Sequence, residues 1–337
     1  MKKPIVAVTT GDPAGIGPET SVEALMQEEA YNKTKPFLIG PKIVIEKALQ
    51  IKGCNFNLNL ISHPSKGKYK FGTIDLIEPQ EYNLDELKNI EYGKIQKIAG
   101  QIGYDNIMKA IEFGNTKTID ICATAPIHKE AIKLNNIKEA GHTEIFGNNT
   151  DSKYALTMFH TQNLRIFFLS RHISLREACD FVTKDCCVEF LKNIDSVFRD
   201  LGKANPKIAL AALNPHASDG GLFGYEEEQE LIPAVNEAKN NGLNVVGPVP
   251  ADSVFFQAKN DAYDAVLSLY HDQGHIACKT LDFEGTITLT WGLPFLRAGV
   301  DHGTAFDIAG KNTANYISMY NQIVVAADYW KQMQKNK

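Results

Sequence analysis

Short runs of β-branched and apolar residues alternate along this chain with longer stretches in which apolar residues recur at three and four, and no other feature restricts the fold as much. The runs at 5–9, 37–39, 119–123, 164–169, 207–213, 265–270 and 286–290 predict strands, several of them apolar on both faces. A strand of that kind must be covered on both sides, as in the mainly parallel sheet of an α/β protein. The stretches 102–113, 174–198, 225–239 and 314–333 predict the covering helices. Ser174 and Glu177 read as a capping box, which puts His172 just outside a helix start. The 337 residues suffice for about two domains, but no repeat, low-complexity tract or Ser/Gly linker marks a boundary.

Charge and composition exclude several classes of function. With 40 acidic against 35 basic residues the net charge is -5, so no cation surplus is available to neutralise a nucleic-acid backbone. The apolar run Ile5-Val6-Ala7-Val8 stops at Thr9-Thr10-Gly11-Asp12, too short for the core of a signal peptide, and no window approaches 18 apolar residues. A cytoplasmic protein that binds no membrane is expected. The six cysteines form no CxxC pair, so reduced thiols are expected.

Histidine is unevenly spread: only His63 precedes residue 128, and eight more follow. His172, His216 and His271 end or follow apolar runs, at the strand ends where open α/β sheets bind ligands. Neutral imidazole is the commonest metal ligand, and three leave room for substrate. Taken singly, each is more often an ordinary hydrogen-bonded loop residue. His271 and His275 are four apart, but Gly274 and the missing glutamate argue against a helical metal pair. After the first run comes Gly11-Asp12-Pro13-Ala14-Gly15-Ile16-Gly17-Pro18-Glu19, either an anion cradle or a turn that needs glycine for geometry; it lacks GxGxxG spacing and a Walker lysine. Lys279 and Arg297 flank a glycine-containing run and suit a phosphate or carboxylate, or are solvated charges. Asp252 reads as a general base or a helix N-cap.

Together the motifs resemble the 4-hydroxythreonine-4-phosphate dehydrogenases of pyridoxal phosphate biosynthesis. The resemblance runs from residues 8–19 through Thr124-Ala125-Pro126-Ile127-His128-Lys129 and Gly141-His142-Thr143-Glu144. It continues in Leu213-Asn214-Pro215-His216, Tyr270-His271-Asp272-Gln273-Gly274, Gly292-Leu293-Pro294-Phe295 and 300–305. The segment 302–311 is similar to the adenosine-binding loop of isocitrate and isopropylmalate dehydrogenases, whose NAD site lacks the Rossmann fingerprint.

The resemblance implies two α/β/α subdomains with mainly parallel sheets. One would comprise 1–125 with 300–337 and carry the nucleotide loop; the other, 126–299, would carry the metal, substrate and dimer contacts. It implies a divalent ion (zinc, cobalt, magnesium or manganese) on His172, His216 and His271, and substrate contacts from His142, Thr143, Lys279, Thr288 and Arg297. NAD or NADP would bind at Asp301, Gly303, Thr304 and Asp307, and Asp252 would be the base. It further implies a homodimer whose active site lies at the subunit interface and takes metal ligands from both chains. The implied reaction oxidises and decarboxylates 4-(phosphooxy)-L-threonine to 3-amino-2-oxopropyl phosphate. Thr288 and Trp291 stand where the family usually has Asn and Leu, and His275 where it has an apolar residue. A same-fold dehydrogenase for another phosphorylated hydroxy acid, a phosphate acyltransferase and an inactive binding protein are the alternatives.

Overall fold

The computed structural model describes residues 2–139, 141–152 and 154–336. The chain forms two compact units, Met1–Ala155 with Ile287–Lys331 and Leu156–Thr286 with Gln332–Lys337. Besides a change-over after Lys331, the divisions fall after Ala155 and Thr286, where the resemblance implied boundaries near residues 125 and 300. Both lie directly before strands, and nothing in local composition distinguishes them from other loop-to-strand junctions.

Numbered along the chain, the first unit holds β1 (Ile5–Thr9), β2 (Lys35–Ile39), β3 (Asn57–Leu60), β4 (Thr73–Ile77), β5 (Ile121–Thr124), β11 (Ile287–Trp291) and β12 (Leu296–Val300). Their order is β3-β4-β2-β1-β5-β12-β11, and every neighbouring pair is parallel except β11 with β12. The second unit holds β6 (Leu156–Thr161), β7 (Leu164–Phe168), β8 (Ile208–Ala211), β9 (Val245–Val249) and β10 (Ala265–Ser268). Here the order is β6-β7-β10-β8-β9, with only β6 and β7 antiparallel.

The strands apolar on both faces are buried on both. In the first unit Ala7, Phe37, Ile39 and Cys122 pack with Ile107 and Ile111 of the helix Lys97–Asn115. The helix Ile317–Lys335 is tied to β5 by Gln322, which accepts from Thr124 N at 3.0 Å and donates to Thr124 O at 3.4 Å. In the second unit Phe159, Ile166, Phe168 and Val266 pack with Val254 and Cys278 of two helices. Each such Phe or Ile stabilises the fold by roughly 1.5–3 kcal/mol through water exclusion. The α/β class expected from the sequence, with two units and mainly parallel sheets, is the one observed.

Two predicted helices are interrupted. The stretch 174–198 is Leu175–Phe181 followed by Lys184–Asp200, the second started by Thr183, whose side chain accepts from Cys186 N. The stretch 225–239 begins as a π-helical turn, Glu227–Leu231, before Ile232–Asn240. The capping box of Ser174 and Glu177 is present in both of its hydrogen bonds.

Candidate active site

In the second unit β7, β10 and β8 are parallel neighbours, so their carboxyl ends lie along one edge. His172 follows β7, His271 opens the helix His271–Leu281 after β10, and His216 lies in the turn Pro215–Asp219 after β8. Histidines 44 and 55 residues apart in sequence are thereby set on consecutive strands, roughly 5 Å apart.

Two imidazoles sharing one ion through bonds of about 2 Å bring their ring centres to about 5 Å. The rings of His172 and His271 are 6.0 Å apart, which fits two positions of such a shell. His271 Nδ1 bonds to Asp272 Oδ1 at 2.6 Å, which leaves Nε2 as its ligand nitrogen, the usual carboxylate support of a metal-binding histidine. His275 lies flat against His271, ring centres 3.6 Å apart, and its Nδ1 donates to the His271 carbonyl at 2.8 Å. Burial among aromatic rings pushes the His275 pKa down to about 4, so it is a neutral platform at neutral pH. Among the described residues no group of three His, Cys, Asp or Glu side chains is placed to hold an ion.

The first unit carries a second cluster. Arg297 on β12 is 7 % exposed; its guanidinium donates to Thr290 Oγ1 at 3.3 Å and Thr124 Oγ1 at 3.0 Å and sits over the Phe146 ring at 5.5 Å. His142 opens the helix His142–Asn148, with Thr143 next. Burial, and then the positive charge of Arg297, hold the His142 pKa well below the ordinary value, and its buried Nε2 has no hydrogen-bond partner among the described residues. A fixed cation beside a neutral imidazole nitrogen in a low-dielectric setting is suited to an anion. Thr288, paired with Gly299 across β11 and β12, donates its hydroxyl to the Gly299 carbonyl at 3.0 Å, leaving acceptor capacity only. A Cβ on Gly299 would lie 2.7 Å from Arg297 Nη2 and 2.8 Å from Thr288 Oγ1, so glycine is needed between them.

Lys279 lies in the last turn of His271–Leu281 with its ammonium 5.2 Å from the Phe283 ring centre. Asp252 is exposed in the first turn of the helix Ala251–Lys259, whose N-cap is Pro250, so the N-cap reading of Asp252 does not hold. In the loop after β12, Gly303 and Asp307 are exposed, Asp301 is half-buried and Thr304 is buried. Thr304 O accepts from Ile16 N at 3.0 Å, and a Cβ on Gly15 would come within 2.7 Å of that oxygen. Gly11 has φ +67°, and a Cβ there would come within 2.2 Å of Pro126 O. The glycines of 11–17 thus serve a close-packed turn that braces the loop, aided by Glu19, which accepts from Gly310 N at 2.6 Å.

Sequence reasoning gave no role to Asp272, Thr124, Thr290 or Phe146. Asp272 stands beside a candidate ligand and was discoverable; Thr124 and Thr290 became partners of Arg297 through strand pairing, and Phe146 through packing of the helix His142–Asn148.

Fold and site together define an α/β enzyme of two mainly parallel units, with histidines along one strand edge and a buried cation on the other unit. The family model described as "Pyridoxal phosphate biosynthetic protein PdxA" matches residues 32–326. A Clostridium botulinum protein named "Putative D-threonate 4-phosphate dehydrogenase" is 47% identical over 333 residues, covering 99% of both chains. The 4-hydroxythreonine-4-phosphate dehydrogenase of Klebsiella pneumoniae is 34% identical and superposes with a TM-score of 0.88 over 97% of this chain and 100% of its own. The Burkholderia phymatum enzyme of the same name is also 34% identical, with a TM-score of 0.85 over 98% and 99%. The chain belongs to the PdxA family, and it is an oxidoreductase of the 4-phosphate dehydrogenase type.

Proposed function

We propose that the enzyme oxidises the C3 hydroxyl of a four-carbon acid phosphorylated at C4, with NAD or NADP as acceptor, and that the product then loses carbon dioxide. The observation that carries the reading is the His172 and His271 pair, supported by Asp272, at the carboxyl ends of adjacent parallel strands. A divalent metal held there, when bound, lowers the pKa of an alcohol and stabilises the negative charge that decarboxylation leaves. Arg297, with His142, Thr143 and Lys279, binds the phosphate and carboxylate and so orients C3. Asp252 accepts the hydroxyl proton as hydride leaves C3, and the resulting β-keto acid releases carbon dioxide. Asp301, Gly303, Thr304 and Asp307 hold the adenosine end of the cofactor.

The third metal ligand, His216, comes from a second copy in this reading, and the enzyme is a cytoplasmic homodimer. In support, the second unit exposes Leu222 at 72 % and Phe256 at 71 %, together with Ile276 and Phe283, a burden of apolar surface that a partner would cover. No disulfide joins the six cysteines, and no helix of the described residues is long and apolar enough to cross a membrane.

Two substrates differ only at C2. With an amine there, 4-(phosphooxy)-L-threonine yields 3-amino-2-oxopropyl phosphate; with a hydroxyl, D-threonate 4-phosphate yields dihydroxyacetone phosphate. The second is favoured by the 47% identical relative over 99% of the chain. Mixing enzyme, manganese and NAD or NADP with each compound and following absorbance of the reduced cofactor tests both. Turnover of D-threonate 4-phosphate in preference is expected; reduction with neither compound would overturn the proposal.

A further inference from the structure

The turn that presents His216 runs against local backbone preference. His216, Ala217, Ser218 and Asp219 have φ of 53°, 56°, 70° and 51°, four successive side chains in the left-handed region. Such a run persists only where surrounding groups dictate it. Ser218 is part of that frame: its hydroxyl donates to Gly224 O at 2.5 Å and accepts from Gly221 N at 2.8 Å.

The other part is Glu227, only 2 % exposed. Its Oε1 accepts from Leu213 N at 2.9 Å and Asn214 N at 2.7 Å, and its Oε2 from Asn214 Nδ2 at 2.8 Å. That same Asn214 amide also donates to Glu226 Oε2 at 2.7 Å. No Lys, Arg or His forms an ion pair with Glu227 among the described residues. A carboxyl group withdrawn from water is costly to keep. Here all three of its hydrogen bonds go to the two residues at the mouth of the His216 turn. It also opens the π-helical segment Glu227–Leu231, a distortion that recurs at functional sites.

We infer that Glu227 is a positioning residue that fixes the β8 turn and thereby aims His216; the inference rests on the reading of His216 as a metal ligand. Removing the carboxylate frees the Leu213 and Asn214 amides and releases the left-handed run. Gln at 227 keeps an oxygen for both backbone amides but sets its NH2 against Asn214 Nδ2, so its effect is smaller.

The test compares Glu227→Ala, Glu227→Gln and His216→Ala in the full-length enzyme. Manganese binding is measured by calorimetry without substrate or cofactor, and hydrogen exchange is followed in peptides covering 212–219. Glu227→Ala is expected to weaken manganese binding about 10–100-fold, to speed exchange at 212–219 and to leave exchange in β7 and β10 unchanged. Glu227→Gln guards against a folding failure and is expected to lose a few-fold. Wild-type manganese affinity in both Glu227 variants, with binding lost in His216→Ala, would overturn the positioning role. Wild-type affinity in His216→Ala would instead overturn the metal reading; unchanged exchange at 212–219 in Glu227→Ala would then overturn Glu227 as the anchor of the turn as well.

Discussion

Asp12 sits inside the first glycine motif, 1 % exposed, with Oδ1 accepting from Ala14 N at 2.8 Å and Oδ2 without a hydrogen-bond partner among the described residues. Burial pushes its pKa from 3.8 to about 6. The folded chain then binds this proton more tightly than the unfolded chain, so Asp12's contribution to stability is greatest below about pH 4 and falls as pH rises through 6. Above that the charged group costs about 3 kcal/mol, the free-energy equivalent of the shift. Asp12→Asn keeps the bond from Ala14 and removes the charge, at the expense of a buried amide NH2. It is expected to stabilise the protein by roughly 1–3 kcal/mol at pH 7.5 and to have little effect at pH 4. Urea unfolding at the two pH values checks this, and an equal difference at both would refute it. The sequence placed Asp12 in a turn but showed nothing of its burial. The same holds for Arg297: its suitability for an anion was legible, whereas its seat between Thr124, Thr290 and Phe146 was not.

Among the elements, strands were legible where the apolar run is unbroken, whereas β4, β6 and β12, mostly buried, were obscured by the polar or charged residues within them. β1, β8 and β10 read as IVAVT, IALA and AVLS, apolar almost throughout. β3 reads NLNL and lies at an edge, with Asn57 and Leu60 exposed; β9, at the other unit's edge, has its run broken by Gly247 and Pro248. β12 carries Arg297 and Gly299, which break its apolar run and hid it in the sequence. Helix packing has a comparable hidden term at Gly100. Alanine is the better helix former by about 1 kcal/mol, yet a Cβ on Gly100 would lie 2.1 Å from the backbone of Ala131. Backbone cannot swing aside as a side chain can. Gly100→Ala is therefore expected to destabilise by roughly 1–3 kcal/mol despite the propensity gain, measured as a lowered urea midpoint; a raised midpoint would show that the Lys129–Lys133 helix shifts at little cost.

For the whole molecule the decisive fact is strand order. The loops bearing His172, His271 and His216 are neighbours because β10 lies between β7 and β8, although it follows both in sequence. If the third ligand comes from a second copy, inactive His216→Ala and His271→Ala proteins should regain activity when their subunits exchange, because one site in each mixed dimer then has all three histidines. Statistical mixing predicts recovery in about half of the dimers, one of two sites each, or roughly a quarter of wild-type turnover. No recovery after exchange shown by mass spectrometry would mean that the ligands act within one chain. Taken alone, the sequence determined the α/β class, the mainly parallel sheets and which residue types stand at strand ends, because periodicity and turn chemistry are local properties. Tertiary structure decided which strand ends adjoin, where the two units divide and that the Thr304 carbonyl is held by Ile16 N. Those depend on strand order and long-range contacts, for which a single chain read residue by residue carries no local signal.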